Sequence, residues 1–306
     1  MLLSLYYKPL IPRRVQLALR GSYARWKLKR VSHIWPIDPR AANPPPGWKG
    51  WPDGKKFALV LTHDVEGPRG VANCRPLMEM EKDLGFRSSF NFVAEEYPVP
   101  MDLLEEMRDQ GFEVGLHGLS HDGNMFKSRK AFEGQAGRIN RYLKEWGAVG
   151  FRAPSMYHNL DWISDLDISY DSSTFDTDPF EPQPDALCTI FPRWIPGRGG
   201  RPGHVELPYT LPQDHTLFLI LREKDIFIWK SKLDWLADRG GMVVVIVHPD
   251  YLHFGAGQPG FEAYPAMHYQ EFLEHIGSRF QGEYWHALPK EVADFWIAAM
   301  PDRKMS

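Results

Sequence analysis

The stretch KFALVLTHDVEG, residues 56–67, decides the fold, because it joins an apolar run to a group of polar side chains. Its first part, KFALVLT, is a short apolar run rich in strand-forming residues and is typical of a buried strand. His63, Asp64, Val65 and Glu66 follow. This stretch therefore predicts a buried strand that ends in two carboxylates.

Outward from this strand, strands and helices alternate along the 306-residue chain. The further predicted strands are RSSFNFVA, FEVGL, AVGF and GMVVVIVH, and the predicted helices are VANCRPLMEMEKDLG, MDLLEEMRDQG, KAFEGQAGRINRYLKEWG and KSKLDWLADRG. Gly85 and Gly111 follow the first two helices and are expected to end them. Repeated βα units with short turns imply a mostly parallel sheet or barrel, whose functional groups gather at the carboxyl ends of the strands.

Polar residues do follow the predicted strands, and together they are the components of a metal-assisted hydrolase. They are Asp64 and Glu66 after the first strand, His117 and His121 after FEVGL, Arg152 after AVGF, and His248 after GMVVVIV. A helical turn would place His117 and His121 on one face, close enough to share an ion. In a chain with 12 histidines that spacing alone is weak, so the prediction depends on the whole set.

The motifs THDVEG, GLHGLSH, FRAPS, YDSS and VHPD, in this order, resemble the polysaccharide deacetylase (NodB-homology) family of carbohydrate esterases. The resemblance extends from Lys56 to Tyr251. It implies an α/β fold, a distorted (β/α) barrel with fewer than eight regular strands. It also implies a metal-dependent enzyme that removes N-acyl groups from amino sugars.

The resemblance implies a role for each matching residue. His117 and His121 match the two histidine metal ligands, and Asp64 matches the general base that acts on a water. Arg152 matches the arginine that orients this base through its fork of donors. His248 matches the general acid that protonates the departing amine.

Two further residues are expected to bind substrate. The backbone N–H of Ser155 matches the family's oxyanion donor. Asp171, in YDSS, is expected to position substrate or to support His248, although Asp-Ser-Ser is also an ordinary turn sequence.

One position departs from the family, because Val65 stands where the family has a second, metal-binding aspartate. We assign Glu66 as the third ligand, since the Asp-Val-Glu pattern resembles relatives with Asp-Val-Asp, including deformylases that act on lipid-linked aminosugars. If Glu66 points away from the site, Asp64 would have to serve as a ligand instead. Two histidines and one carboxylate suit one divalent ion, Zn²⁺ in the first place, with Co²⁺, Ni²⁺ or Fe²⁺ as alternatives.

The amino-terminal arm is basic. Residues 1–40 hold nine Lys or Arg and one acid, Asp38, although the whole chain has a formal charge of −3. A Pro-rich connector follows, so we divide the chain into an arm and connector, 1–50, and a barrel domain, 51–306. The cations of the arm surround apolar residues such as Leu17 and Trp26, and such a segment either contacts an anionic membrane or packs on the barrel. No nucleic-acid-binding signature accompanies it.

The start, MLLSLYYKPLIPRR, lacks the features of a cleaved signal peptide, and Cys74 and Cys188 are too few for a disulfide scaffold, although a single bridge is open. We expect a cytoplasmic protein, peripheral at the inner membrane if the arm binds there. The expected function is that of a metal-dependent carbohydrate deacetylase, an amide hydrolase acting on C–N bonds other than peptide bonds, in polysaccharide biosynthesis. Its substrate would be a polysaccharide or a lipid-linked glycan precursor. The alternative is a non-catalytic carbohydrate-binding or scaffold protein that has lost the metal through Val65.

Overall fold

A computed structural model of the chain describes residues 12–299. The start of the predicted arm, MLLSLYYKPLI with its Lys8, lies outside these residues. The α-helices are α1 (Arg13–Val31), α2 (Pro68–Asp83), α3 (Met101–Asp109), α4 (Arg129–Glu145), α5 (Leu160–Ile163), α6 (Phe227–Arg239), α7 (Met267–Arg279) and α8 (Pro289–Ala299), and a π-helix covers His215–Leu221.

Nine strands form the main sheet and two form a small separate pair in the described part of the chain. The strands are β1 (Phe57–Val65), β2 (Ser89–Phe92), β3 (Glu113–Leu116), β4 (Gly150–Phe151), β5 (Tyr170–Asp171), β6 (Arg193–Ile195), β7 (His204–Glu206), β8 (Met242–Val247), β9 (Leu252–His253), β10 (Tyr264–Pro265) and β11 (Tyr284–His286).

The main sheet curls into an incomplete, distorted barrel. Its order is β11-β1-β2-β3-β4-β5-β7-β6, with β8 also paired to β1, and all neighbours are parallel except β6 and β7. The backbone N–H groups of Thr210 and Leu211 donate to the carbonyl of Val244 on β8, each at 3.2 Å, and join the two sides of the curl. The predicted distorted (β/α) barrel is confirmed.

The first half of the barrel follows the sequence pattern closely. All nine residues of β1 are buried, as expected for an apolar strand covered on both faces. Gly85 and Gly111 follow α2 and α3 with φ of +80° and +83°, a conformation that glycine adopts at little cost. After Gly150 the strands are only two or three residues long until β8, where the sequence pattern also weakens.

Helix α1 packs on the barrel, which is one of the two alternatives given for the basic arm. Leu17, Gly21 and Ala24, spaced by four and three residues, form its buried stripe. Gly21 lies so close to the π-helix that an added Cβ would approach the carbonyl oxygen of Ile220 to 2.8 Å. The division of the chain at residue 50 stays a prediction. Among the described helices, none has the length and apolar character required to cross a membrane.

Candidate active site

A cavity of about 520 Å³ opens at the carboxyl ends of the barrel strands. The residues that follow the strands line its floor, and helix α1 lines one wall. Its lining includes six of the eight predicted site residues, together with tyrosines and α1 cations: Asp64, Glu66, His117, His121, Ser155, His248, Tyr157, Tyr251, Arg13, Arg20, Tyr23 and Lys27.

Three of these residues form what we call the Glu66 cluster: Glu66, His117 and His121. One ligand atom from each lies within 4.8 Å of the other two, and His121 Nε2 is 2.9 Å from Glu66 Oε1. The histidines do not share a helical turn, so that part of the prediction is wrong. Residues 117–123 form a loop, in which Gly118 has a φ of +74° and an added Cβ would approach Pro154 Cγ to 2.6 Å.

The protonation states of His117 and Glu66 suit a cation. Burial lowers the pKa of His121, but its bond to Glu66 outweighs burial and raises the pKa, so a cation would take the place of a proton between these two side chains. Burial lowers the pKa of His117 to about 4, and its Nδ1–H donates to the Arg152 carbonyl at 3.0 Å, which leaves Nε2 without a proton. Burial alone would raise the pKa of Glu66, but the bond to His121 and the nearby histidines hold it well below its usual value. A neutral imidazole and an ionised carboxylate are the forms that bind metal. The donor set therefore fits one divalent ion.

Strand alternation explains how Glu66 replaces the missing aspartate. Val65 is fully buried on the opposite side of β1 from Asp64, whereas Glu66, two residues after Asp64, faces the cavity. The Tyr251 hydroxyl donates to Glu66 Oε2 at 2.8 Å, and Asp250 Oδ2 accepts from the Glu66 N–H at 2.8 Å. Glu66 thus points toward His121, and the arrangement that would draft Asp64 as a ligand is not observed.

Asp64 is held through one carboxylate oxygen, and within residues 12–299 the other accepts no hydrogen bond. Its Oδ1 accepts from Arg152 and from Asn91, each at 2.9 Å, while Oδ2 lies 4.0 Å from His117 Nε2. Burial would raise the pKa of Asp64, but the charge of Arg152 and the neighbouring histidines outweigh it and lower the pKa to about 2. The carboxylate is therefore ionised and oriented into the cavity.

The Arg152 guanidinium is itself held by several hydrogen bonds. It donates to the carbonyl and hydroxyl oxygens of Ser172, each at 2.8 Å, and to Thr62 Oγ1 at 2.9 Å. The side chain is 1% exposed. A guanidinium with its donors directed in this way holds Asp64 in one orientation.

His248 has a partner that the sequence analysis missed. Its Nδ1 donates to Asp214 Oδ1 at 2.6 Å, and its backbone N–H donates to Asp214 Oδ2 at 2.8 Å. Burial lowers the pKa of His248, but the charge and bond of Asp214 outweigh it and raise the pKa to about 10. His248 Nε2 lies 3.7 Å from Glu66 Oε1, next to the cluster. Asp214 precedes His248 by 34 residues and follows no predicted strand, so nothing in the sequence marked it.

The two predicted substrate-binding residues lie in different places. Ser155 lines the cavity, with a left-handed φ of 54° like its neighbour Met156, and its N–H points at His121 Nε2, 3.3 Å away. Asp171 is fully buried, accepts from the Ser173 hydroxyl at 2.6 Å and is not among the cavity-lining residues. The predicted support of His248 by Asp171 is therefore wrong, because Asp214 occupies that position.

Comparisons with known proteins agree with this geometry. Residues 52–163 match the family model for polysaccharide deacetylase. No curated protein sequence matches the chain. A Mycobacterium smegmatis structure described as a polysaccharide deacetylase has 19% identity and a TM-score of 0.60, covering 82% of this chain and 93% of its own.

Two other solved structures share the fold at similar distance. One from Pseudomonas aeruginosa PAO1, also described as a polysaccharide deacetylase, has 16% identity and a TM-score of 0.62, and the PuuE allantoinase has 16% identity and a TM-score of 0.63. Each match covers 87% of this chain and 99% of the other. The family match supports deacetylation of a glycan. The match over residues 52–163 and the shared barrel fold together confirm the resemblance to the polysaccharide deacetylase family that the five motifs indicated.

Proposed function

We propose that this protein is a metal-dependent hydrolase that removes an N-acyl group, N-acetyl in the first place, from an amino sugar of a polysaccharide or a lipid-linked glycan precursor. The observation that carries the proposal is the position of the Glu66 cluster between Asp64 and His248 at the floor of an open cavity. An ionised base and a protonated acid thus flank a set of metal ligands, as amide hydrolysis requires.

The proposed metal is bound by Glu66, His117 and His121. A divalent ion in this place supplies a Lewis acid that polarises the acyl carbonyl and lowers the pKa of water. Zn²⁺ suits two imidazoles and a carboxylate, and Co²⁺, Ni²⁺ and Fe²⁺ suit them too. Tyr251 and the Arg152 carbonyl hold two of the ligands in place through hydrogen bonds.

Asp64 and His248 divide the proton transfers. The free Oδ2 of Asp64 accepts the proton of the attacking water, while Arg152 and Asn91 hold the other oxygen. His248 carries a proton at neutral pH because Asp214 raises its pKa, and its Nε2 donates that proton to the departing amine. The Ser155 N–H contributes a hydrogen bond to the developing oxyanion.

Metal content and acid release, measured on wild type and Asp64→Asn, test this proposal. We expect about one zinc per chain in both proteins and release of acetate from N-acetylated amino sugars by the wild type alone. Loss of a positioned general base reduces turnover by roughly 10²–10⁴-fold. Equal turnover in both proteins would refute the role of Asp64. A zinc-loaded wild type that binds sugar and releases no acid would favour the non-catalytic alternative.

The proposal includes contact with an anionic membrane at the cytoplasmic face through the outer surface of α1. Val15, Leu19 and Trp26 are 47%, 60% and 48% exposed, and exposed Arg14, Lys29 and Arg30 lie on the same helix. Exposed apolar residues among cations suit an anionic lipid surface. We expect Leu19→Ser with Trp26→Ser to weaken cosedimentation with anionic liposomes. Met267→Ser, at an apolar site on α7 that is 65% exposed, should leave it unchanged.

A further inference from the structure

The cavity wall formed by α1 carries three evenly spaced cationic side chains. Arg13, Arg20 and Lys27 all line the cavity, and they are spaced by seven residues, so they lie along one side of the helix about 10 Å apart. The helix contains seven Lys or Arg and no acid. This stripe of cations faces the cavity floor, which contains the Glu66 cluster.

The two ends of the stripe are already bound to the barrel. Arg13 Nε donates to Glu262 Oε1 at 2.7 Å. Lys27 Nζ donates to the carbonyl of Pro179 and lies 5.9 Å from the centre of the Phe180 ring. These contacts, with the buried stripe of Leu17, Gly21 and Ala24, fix the orientation of α1 over the cavity.

Arg20, at the centre of the stripe, has no such partner. Within residues 12–299 no carboxylate pairs with it and no acceptor takes a hydrogen bond from it, although it is exposed to the cavity. Partial burial and the positive charge of Arg13 lower the pKa of Arg20. A bound anion would offset both effects, because it would neutralise the charge of Arg20. Tyr251, whose hydroxyl binds Glu66, and Tyr157 are among its electrostatic neighbours.

We propose that Arg20 binds an oxyanion carried by the substrate, a phosphate or a carboxylate on the amino sugar or on the residue attached to it. This inference rests on the proposed function and names the substrate class of the same site: an anionic, not a neutral, acylated amino sugar. Arg presents a planar fork of donors that matches either oxyanion. Tyr251 is an electrostatic neighbour of Arg20 and donates a hydrogen bond to Glu66, so the anion and the acyl group would be bound in the same cavity. Helix α1 is then part of the substrate site.

Anion binding tests the inference without any reaction. Inorganic phosphate and acetate are titrated into wild type, Arg20→Gln and Arg25→Gln, all in the same metal state, and the bound fraction is followed by NMR. Arg25 is the matched control, because it is an exposed arginine on α1 that does not line the cavity. We expect Arg20→Gln to weaken binding of at least one anion about tenfold or more, as for loss of a charge-assisted hydrogen bond, and Arg25→Gln to match the wild type. Equal binding by all three proteins overturns the inference.

Acetate release then separates the two anions. The ratio of kcat/KM for N-acetylglucosamine 1-phosphate, or for the uronic acid of N-acetylglucosamine, to that for neutral N-acetylglucosamine is measured in the same three proteins. We expect the ratio for one anionic sugar to fall about tenfold or more in Arg20→Gln only, and that sugar identifies the anion. A ratio that does not change in Arg20→Gln overturns the inference. If the wild type releases acetate from none of these sugars, the proposed function fails for them, and the anion titration still decides the role of Arg20.

Discussion

Two groups of histidine and carboxylate side chains in this molecule have similar composition but differ in their exposure to solvent. The Glu66 cluster contains one carboxylate and two histidines, and what we call the Asp171 cluster contains Asp171, His204 and Glu206. In each, the ligand atoms lie within 4.8 Å of one another. Glu66 and His121 are 19% and 23% exposed in their side chains, whereas the members of the Asp171 cluster are at most 1% exposed.

The protonation states of the two clusters differ because their burial and neighbouring charges differ. In the Asp171 cluster, burial and the neighbouring Glu206 carboxylate raise the pKa of Asp171 well above its ordinary value of 3.8, so this acid keeps its proton. In the Glu66 cluster, two histidines offset the burial of Glu66 and its pKa is lowered. A sealed, protonated group offers a cation neither access nor charge.

Ligand types within reach of one another therefore do not define a metal site. Access to solvent and the sign of the neighbouring charges decide which cluster can bind an ion. The Glu66 cluster meets both conditions, because it lies in the cavity and between an ionised Asp64 and a positioned His248. The Asp171 cluster joins β5 to β7 within the barrel wall, where a structural role is sufficient.

Removal of one histidine from each cluster tests directly which cluster binds the metal, and it has the largest expected effect. His121→Ala should reduce zinc affinity by more than about a hundredfold, since even the loss of a supporting residue can cost that much. His204→Ala should retain about one zinc per folded chain, as judged by elemental analysis after gel filtration. If His204→Ala loses zinc and His121→Ala retains it, the two clusters have been assigned the wrong way round.

Asp214→Asn tests whether the Asp214 carboxylate keeps His248 protonated. With Asp214 present, His248 stays protonated up to about pH 10. Without it, only the charges of Glu66 and Asp64 oppose the effect of burial, so the pKa of the imidazole falls and less of the acid form remains as the pH rises. We therefore expect kcat to fall about tenfold or more at pH 8 and clearly less at pH 6.

The control for this experiment is Asp171→Asn, at the residue that the sequence suggested as a support for His248. Its pH–rate profile should follow that of the wild type. A parallel loss at both pH values in Asp214→Asn would instead mean that Asp214 only positions the ring.

Asp171→Asn tests the sealed cluster and has the smallest expected effect, on stability alone. A folded state that keeps a proton which the unfolded chain releases loses stability as the pH rises, from the ordinary pKa of 3.8 up to the raised pKa. The loss is about 1.4 kcal/mol for each pH unit within that window. The asparagine has no proton to lose, so this part of the pH dependence should disappear.

Urea unfolding at pH 5, 6 and 7 measures this effect, with Asp238→Asn as a control because Asp238 is exposed. The free energy of unfolding of Asp171→Asn should fall less steeply with pH than that of the wild type, and that of Asp238→Asn should fall equally steeply. Identical slopes in all three proteins would mean that Asp171 is ionised in the folded state.

Much of the barrel could be predicted because its elements depend on local pattern. The apolar run of β1, the glycines after α2 and α3, and the polar residues after each strand are all properties of short segments. Parallel strands bring the polar residues that follow them to one end of a barrel, and this rule alone groups Asp64, Glu66, His117, His121, Arg152 and His248.

Other parts of the site depend on contacts between distant segments. Asn91 reaches Asp64 from the next strand, and Tyr251 reaches Glu66 across 185 residues. The loop around Gly118, and not a helical turn, pairs His117 with His121. No periodicity records such pairings, because each depends on how the barrel closes.

Residue types at short spacing are enough to predict the alternation of strands and helices, the family resemblance and the set of strand-end groups. The folded chain was needed to show that Asp214 supports His248, that Asp171 is buried in the barrel wall, and that α1 lines the cavity. The physical reason is that a side chain's pKa and partners depend on burial and on charges from remote segments, which come together only when the chain folds.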